Sequence, residues 1–239
     1  IKTQTNLSIK VGYVSDVPIS KQKYTVIYPG GEKYTGDLNS SGLPAGYGTL
    51  QSATKNEDLI ITYTGVFKDG LLEGRTAIKY SDGTILYANY TNGKVSSESD
   101  VDIRYTNGQS YKGRIDINSG KPSGYGRLDI PDVGYYIGNF KNGFGKFDWG
   151  NGTIYEGNWK KKLFNGKGKL IYPTGVIYEG EFKNHTMHGN GKTIYANGDI
   201  FIGSYSNGTI NGFGKYTYGS GAVYEGEYLN GVKHGKGTY

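Results

Sequence analysis

Residues 178–195 read Tyr178-Glu179-Gly180-Glu181-Phe182-Lys183-Asn184-His185-Thr186-Met187-His188-Gly189-Asn190-Gly191-Lys192-Thr193-Ile194-Tyr195. Tyr178, Gly180 and Phe182 alternate with Glu179 and Glu181, and further on Gly191, Thr193 and Tyr195 alternate with Lys192 and Ile194. A period of two sends successive side chains to opposite faces, so both segments read as strands with rings on one face and charges on the other.

Working outward, Tyr155-Glu156-Gly157, Tyr178-Glu179-Gly180, Phe201-Ile202-Gly203 and Tyr224-Glu225-Gly226 begin 23 residues apart. The same register aligns four more columns: Trp159, Phe182, Tyr205 and Tyr228; Gly166, Gly189, Gly212 and Gly235; Gly168, Gly191, Gly214 and Gly237; and Trp149, Tyr172, Tyr195 and Tyr218. Five columns in one register define a tandem repeat. Asn-Gly pairs at Asn142-Gly143, Asn151-Gly152, Asn197-Gly198 and Asn207-Gly208 fall between the strands, where tight turns demand positive φ. Each unit is therefore a hairpin followed by another tight turn, with the paired glycines read as its hinge.

Upstream units start at Tyr136, Tyr111, Tyr63 and Tyr34, with an insertion near Ala53 to Asp58. The unit aligned on Tyr87 is the most altered, having Asn89 where glycine is expected and Ser99 and Val101 for the paired glycines; a bend or local disorder is expected there. Tyr28 to Tyr34 matches Tyr172 to Tyr178 in spacing and forms a half-repeat. Three segments follow: residues 1–23 as a cap, added edge strand or linker; 24–110 as irregular repeats with the degenerate unit at 87–110; and 111–239 as regular repeats continuing the same array. The fold class is all-β, an elongated single-layer twisted antiparallel sheet of tandem hairpins.

Composition agrees. The chain has 41 glycines and 24 tyrosines in 239 residues, and only 35% of residues are hydrophobic, so tyrosine rings must supply much of the buried area. Glycine in Tyr-x-Gly leaves room for an aromatic ring to lie across the strand. The absence of cysteine excludes disulfides, thiolate metal sites and a cysteine nucleophile. The longest apolar run, near Leu59 to Ile61, falls far short of the roughly 20 residues of a membrane helix. An anchor or signal upstream of Ile1 would place the array at a membrane or outside the cytoplasm.

The Tyr178 to Tyr195 pattern resembles the MORN (membrane occupation and recognition nexus) repeat family, whose consensus is approximately Tyr-x-Gly-x-aromatic, a spacer, Gly-x-Gly and a distal aromatic. The resemblance extends over about residues 24–239 and is tightest from Tyr136 onward. It implies an array of β-hairpins, frequent self-assembly, and attachment in many members to a separate catalytic domain such as a lipid kinase or methyltransferase.

Two candidate surfaces arise. Arg127, Lys146, Lys169, Lys192 and Lys215 follow the paired glycines and form a cationic ladder roughly 40 Å long at the strand spacing. Lys160, Lys161 and Lys162 add a cluster suited to phosphate head groups. Against the ladder, Glu156, Glu179, Glu181, Glu225 and Glu227 share its face and neutralise it as cross-strand pairs. On the other face Tyr155, Trp159, Tyr172, Tyr178, Phe182, Tyr195, Tyr205 and Tyr218 offer a groove for a peptide helix, glycan or lipid, unless the rings chiefly cover one another.

No chemistry-bearing motif emerges. His188 and His234 share one repeat position and no third ligand column accompanies them, so no metal site is expected. Gly-x-Gly lacks the third glycine and the following helix of a nucleotide loop, and Gly191-Lys192-Thr193 has Thr186 where a P-loop begins with glycine. The carboxylates do not converge, no Gly-x-Ser-x-Gly occurs, and neither catalysis nor a cofactor is expected. The sequence points to a binding or scaffolding protein with a protein partner or self-association through the edge strand that ends at Tyr239. The net charge of +6 permits anionic lipid. Aromatic-glycine repeats in a Lys-, Asn- and Ile-rich chain with only four arginines suggest a bacterial wall polymer as a third partner class. Glutamates interleaved with the lysines disfavour nucleic acid.

Overall fold

Asn207 and Gly208 hold φ of 50° and 82° and close a two-residue turn of the kind whose twist matches that of its strands. Asp69-Gly70, Asn92-Gly93 and Asn230-Gly231 repeat this geometry, as do two pairs without glycine, Asn184-His185 and Lys161-Lys162. The alternate connection is longer. The Tyr195 N–H donates to the Asp199 carbonyl at 2.9 Å and the Gly198 N–H to the Tyr195 carbonyl at 3.0 Å, and Tyr172 with Val176 and Tyr218 with Ala222 make the same closure. From Lys161 to Gly231 the two turn types alternate, whereas Tyr28 with Glu32 and Asn39 with Leu43 are consecutive closures of the longer type.

The computed structural model describes residues 23–52, 60–95, 100–116 and 119–239, and all its regular elements are strands. Apart from Lys23, the N-terminal cap or linker lies outside the described residues, as do the insertion at 53–58 and Ser99. The chain divides into two compact units, residues 1–123 and 124–239. In the first, β1 (Tyr24–Ile27), β2 (Lys33–Leu38), β3 (Pro44–Ser52), β4 (Ile61–Lys68), β5 (Leu71–Lys79) and β6 (Ile85–Thr91) pair in sequence. Then β6 pairs with both β7 (Lys94–Val95) and β8 (Val101–Arg104), and β8 with β9 (Ser110–Ile115). All of β10 (Pro122–Ile130) but its first two residues lies in the second unit, with β11 (Gly134–Asn139), β12 (Phe144–Asp148), β13 (Ile154–Lys160), β14 (Leu163–Ile171) and β15 (Ile177–Lys183). They continue into β16 (Thr186–Ile194), β17 (Ile200–Ser206), β18 (Thr209–Thr217), β19 (Val223–Leu229) and β20 (Val232–Thr238). From β10 to β20 every pairing is antiparallel and joins neighbours in sequence.

Register aligns the glycines into one row. Gly157 faces Gly168, Gly168 faces Gly180, and the row runs on through Gly191, Gly203, Gly214 and Gly226 to Gly237. The paired glycines lie inside a strand and are not a hinge. Between Gly180 and Glu181 the register shifts, and β16 accommodates the surplus residues with Gly189 at φ 64°. The first glycine of Gly-x-Gly thus serves a bulge that needs the left-handed region. The second serves a ring: a Cβ on Gly191 would sit 2.5 Å from the Tyr178 ring, and one on Gly180 2.5 Å from its hydroxyl.

The unit aligned on Tyr87 starts one residue earlier. Leu86 faces Ile78, Tyr87 faces Ala77 and Ala88 faces Thr76, so Leu86 takes the tyrosine column and Ala88 the glycine row. Tyr87 consequently points away from the core, its ring between the Arg75 and Arg104 guanidinium groups at 5.2 and 5.3 Å. A one-residue slip exchanges the faces of a strand, so the tyrosine at 87 stands one position out of the column that Leu86 holds. β6 pairs with both β7 and β8 in the unit where a bend or local disorder is expected, and residues 96–99 of that unit lie outside the described residues. In this unit Ala88 and Val101 fill the glycine row, where Leu86 has no ring to lay across it.

Candidate docking surface

On the ring face of the second unit the aromatic side chains pack edge to face in a zigzag. Tyr155 meets Phe182 at 5.2 Å, Phe182 meets Tyr178 at 5.0 Å, and Tyr178 meets Tyr205 at 5.0 Å. The chain continues from Tyr205 to Phe201 at 5.5 Å, to Tyr228 at 5.3 Å and to Tyr224 at 5.5 Å. The fifth residue of one Tyr-x-Gly strand therefore seals the first residue of the preceding hairpin. Each such pair adds about 0.5–1.5 kcal/mol beyond the area it buries. A single-layer sheet is held this way, since Tyr155, Tyr178 and Phe201 each find apolar cover on the next hairpin, and Tyr155 also stacks on Phe164 of its own.

That packing divides the eight aromatic residues singled out by sequence. Tyr155, Tyr178, Phe182 and Tyr205 are buried and act as core. Trp159 is half-buried and donates its indole N–H to the Gly145 carbonyl at 3.0 Å. Tyr172, Tyr195 and Tyr218 are half-exposed, each opening a five-residue loop. Between these loops and the short turns lies an apolar groove of about 490 Å³, walled by Tyr172, Val176, Met187, Tyr195 and Ile210 above Tyr178 and Tyr205.

Polar brackets hold the groove rigid. Thr193 and Tyr205 share a buried hydroxyl hydrogen bond of 2.6 Å. Asp199 accepts from the Tyr216 hydroxyl at 2.6 Å and from the Gly219 N–H at 2.7 Å, which ties one loop to the next. The Tyr216 bond, then the Gly219 bond, holds the Asp199 carboxyl below the usual carboxylate range. Burial, with a contribution from the Glu181 charge, pushes the Tyr178 phenol up to about 12.

The period, the ring over each glycine pair and the bulge glycine together specify the repeat type. A family model for the MORN repeat matches residues 133–154, 155–177, 178–200, 201–223 and 224–239. Residues 133–239 are five tandem MORN repeats. No curated protein matches the chain in sequence. Among solved structures, a mutant form of the TCP10 domain of Danio rerio CPAP is similar in fold, with a TM-score of 0.51 and 15% identity over 85% of this chain and 93% of that one. The SAS-4 (dCPAP) TCP domain of Drosophila melanogaster, solved with a Proline Rich Motif of Ana2, aligns at a TM-score of 0.44 and 11% identity over 72% and 87% of the two chains.

The opposite face of the MORN repeats carries the charges in register. Lys146 faces Glu156, Glu156 faces Lys169, Lys169 faces Glu179, and Glu179 faces Lys192. Ile202 then separates Lys192 from Lys215, which faces Glu225. The cations thus stand on alternate strands with carboxylates between most of them. Arg127 is engaged by Asp129 at 2.6 Å and lies over the Tyr135 ring at 3.9 Å, while Lys146 pairs with Asp148 at 3.6 Å. Lys169, Lys192 and Lys215 are exposed, as are Lys160, Lys161 and Lys162 around their turn. His188 faces Glu181 and His234 faces Glu227, so the histidine column follows the hairpin.

Several groove residues escaped sequence reasoning. Met187 and Ile210 belong to a column with Phe164 and Lys233 at the same 23-residue period, a signal that was present. Asp199 and Tyr216, beside the groove, stand in columns with Val176 and Thr193, but no periodicity pairs them, because their bond joins a loop to the next hairpin's strand.

Proposed function

We propose that the ring face of the MORN repeats docks a segment of a partner protein and that the chain is a non-catalytic interaction module. The observation that carries this reading is the 490 Å³ apolar groove with half-exposed tyrosines on its walls and buried tyrosines on its floor. Exposed rings above a prepaid, rigid floor lose little entropy on binding, and tyrosine pairs apolar area with a hydroxyl that fixes a ligand's orientation. The charged face, with acid and base alternating, leaves little net field for a linear polyanion.

Peptide display against the whole chain tests this. Selected peptides are expected to lose at least tenfold in affinity with Tyr195→Ala and none with Lys192→Ala on the other face. Peptides indifferent to Tyr195, or no peptides at all, would overturn the reading.

A second reading is favoured by one local feature. Lys161 and Lys162 occupy the left-handed region at φ 52° and 66°, where the equivalent turns use Asn207-Gly208 and Asn230-Gly231. Such a conformation costs about 1–2 kcal/mol per residue, and strain of this kind collects at functional positions. Three adjacent exposed lysines suit phosphate head groups. Retention on phosphatidylserine vesicles at low salt, lost in the Lys161→Asn, Lys162→Gly variant, is the expected result; no retention of the parent chain would remove this reading.

A further inference from the structure

The column Trp149, Tyr172, Tyr195 and Tyr218 has a period of its own. Each residue opens a loop closed by the same hydrogen bond, from its N–H to the carbonyl four residues on, at 3.1 Å for Trp149 and 2.9 Å for the tyrosines. Each therefore occupies the same place in its hairpin. Hairpins are two strands apart, about 9.6 Å at the usual strand separation.

That step selects among backbone conformations for a ligand crossing the strands. A polyproline II helix repeats every three residues, about 9.3 Å, and returns the same side to the surface each time. Over the three intervals of this column the mismatch totals about 1 Å. For an α-helix the nearest whole repeat is seven residues, about 10.5 Å, and the mismatch grows to almost 3 Å, roughly two residues of rise. An extended strand covers about 10 Å in three residues but turns its opposite face to the surface.

The chemistry of the column fits the same ligand. Polyproline II has no internal hydrogen bonds, so its carbonyls project outward and accept from donors such as the tyrosine hydroxyls. Pyrrolidine rings stack on aromatic faces, and the conformation is already ordered before binding. The groove walls named above are uncharged, and the nearby Asp199 carboxylate is engaged by Tyr216 and Gly219.

Resting on the docking reading above, we propose that the occupant of this face is a proline-rich segment in the polyproline II conformation, laid across the strands with one three-residue turn per MORN hairpin. The test uses the whole chain and oligoproline peptides of six, nine and twelve residues. Controls are a twelve-residue Gly-Ser peptide and an amphipathic helical peptide, and binding is read from the aromatic NMR signals of Trp149, Tyr172, Tyr195 and Tyr218. Oligoproline is expected to shift these signals, with affinity rising severalfold at each added turn and falling at least tenfold in Tyr195→Ala; Tyr195→Phe, which keeps the ring, is expected to fall less. An unchanged amide spectrum for both variants shows that the fold is retained. Absence of shifts with oligoproline, or affinity independent of its length, overturns the proposal. If the helical peptide alone shifts the column, this inference falls while the docking reading stands.

Discussion

The Tyr178 hydroxyl donates to the main-chain oxygen of Glu181 at 2.9 Å, beside the bulge where the ladder shifts register. Tyr155 does the same to Asn158 at 2.8 Å and Tyr34 to Asp37 at 2.9 Å. The repeat's first ring thus covers two glycines and ties down the carbonyl three residues on. Phe201 occupies this position without a hydroxyl. Phe201→Tyr is expected to raise stability by about 0.5–1.5 kcal/mol by reaching the Ser204 carbonyl, and Tyr178→Phe to lower it by about 1–3 kcal/mol. Denaturant midpoints decide; a loss in Phe201→Tyr would count against the bond's role.

Alkali should loosen the fold. Burial is the largest cause that pushes Tyr34, Tyr111 and Tyr228 up to about 12, as it does Tyr178. A raised phenol pKa means the neutral form is favoured in the folded state, so its contribution is complete below the unfolded value of about 10 and is lost as pH climbs toward 12. Denaturation midpoints are expected to hold steady up to about pH 9 and then decline, with phenolate absorbance appearing alongside unfolding. Phenolate absorbance complete by pH 11 with no loss of structure would contradict the buried placement.

On the acid side the sign reverses. Asp199 is held below its ordinary value chiefly by the Tyr216 hydroxyl and the Gly219 N–H, so its contribution is present above the unfolded carboxylate value and lost as pH falls beneath it. Asp199→Asn is expected to lower the melting temperature at neutral pH and to flatten the acid limb of the stability profile. An acid limb identical to the parent's would show that the bracket does not depend on charge.

Much of this architecture was legible in the residues, and the exceptions have physical causes. Alternation of Tyr178, Gly180 and Phe182 with glutamates gave strand and face, and Asn207-Gly208 gave a turn. Gly189 and Gly191 were harder to separate, since glycine signals both positive φ and close approach and only the ladder shows which applies. Leu86 is not legible as the column residue beside Tyr87, because ring identity does not show that a leucine holds the column. Tyr155 and Tyr172 look alike in sequence, yet one is buried and the other half-exposed. Phe164 of the same hairpin stacks on the Tyr155 ring at 3.7 Å and Phe182, 27 positions beyond it, closes its edge at 5.2 Å, and such cover depends on packing that spacing alone does not show.

The Lys161-Lys162 turn offers a gain of stability at the expense of a site. Lys161→Asn with Lys162→Gly restores the pair used at Asn207-Gly208 and is expected to stabilise the fold by about 1–2 kcal/mol. Thermal melts check the value. No gain would mean that the two lysines are held there by contacts worth as much as the strain.

The first ring of each repeat needs an empty glycine row to lie down, which is what leaves Tyr172, Tyr195 and Tyr218 as the outer surface. A double-mutant cycle on Gly191 and Tyr178 tests it most directly, because the nearest atoms a Cβ at Gly191 would meet are those of the Tyr178 ring. Gly191→Ala is expected to cost about 1–3 kcal/mol in the parent chain. In the Tyr178→Leu background, which imitates Leu86 beside Ala88, it is expected to cost less than about 0.5 kcal/mol, the usual scatter of independent sites. An equal cost in both backgrounds would contradict the account.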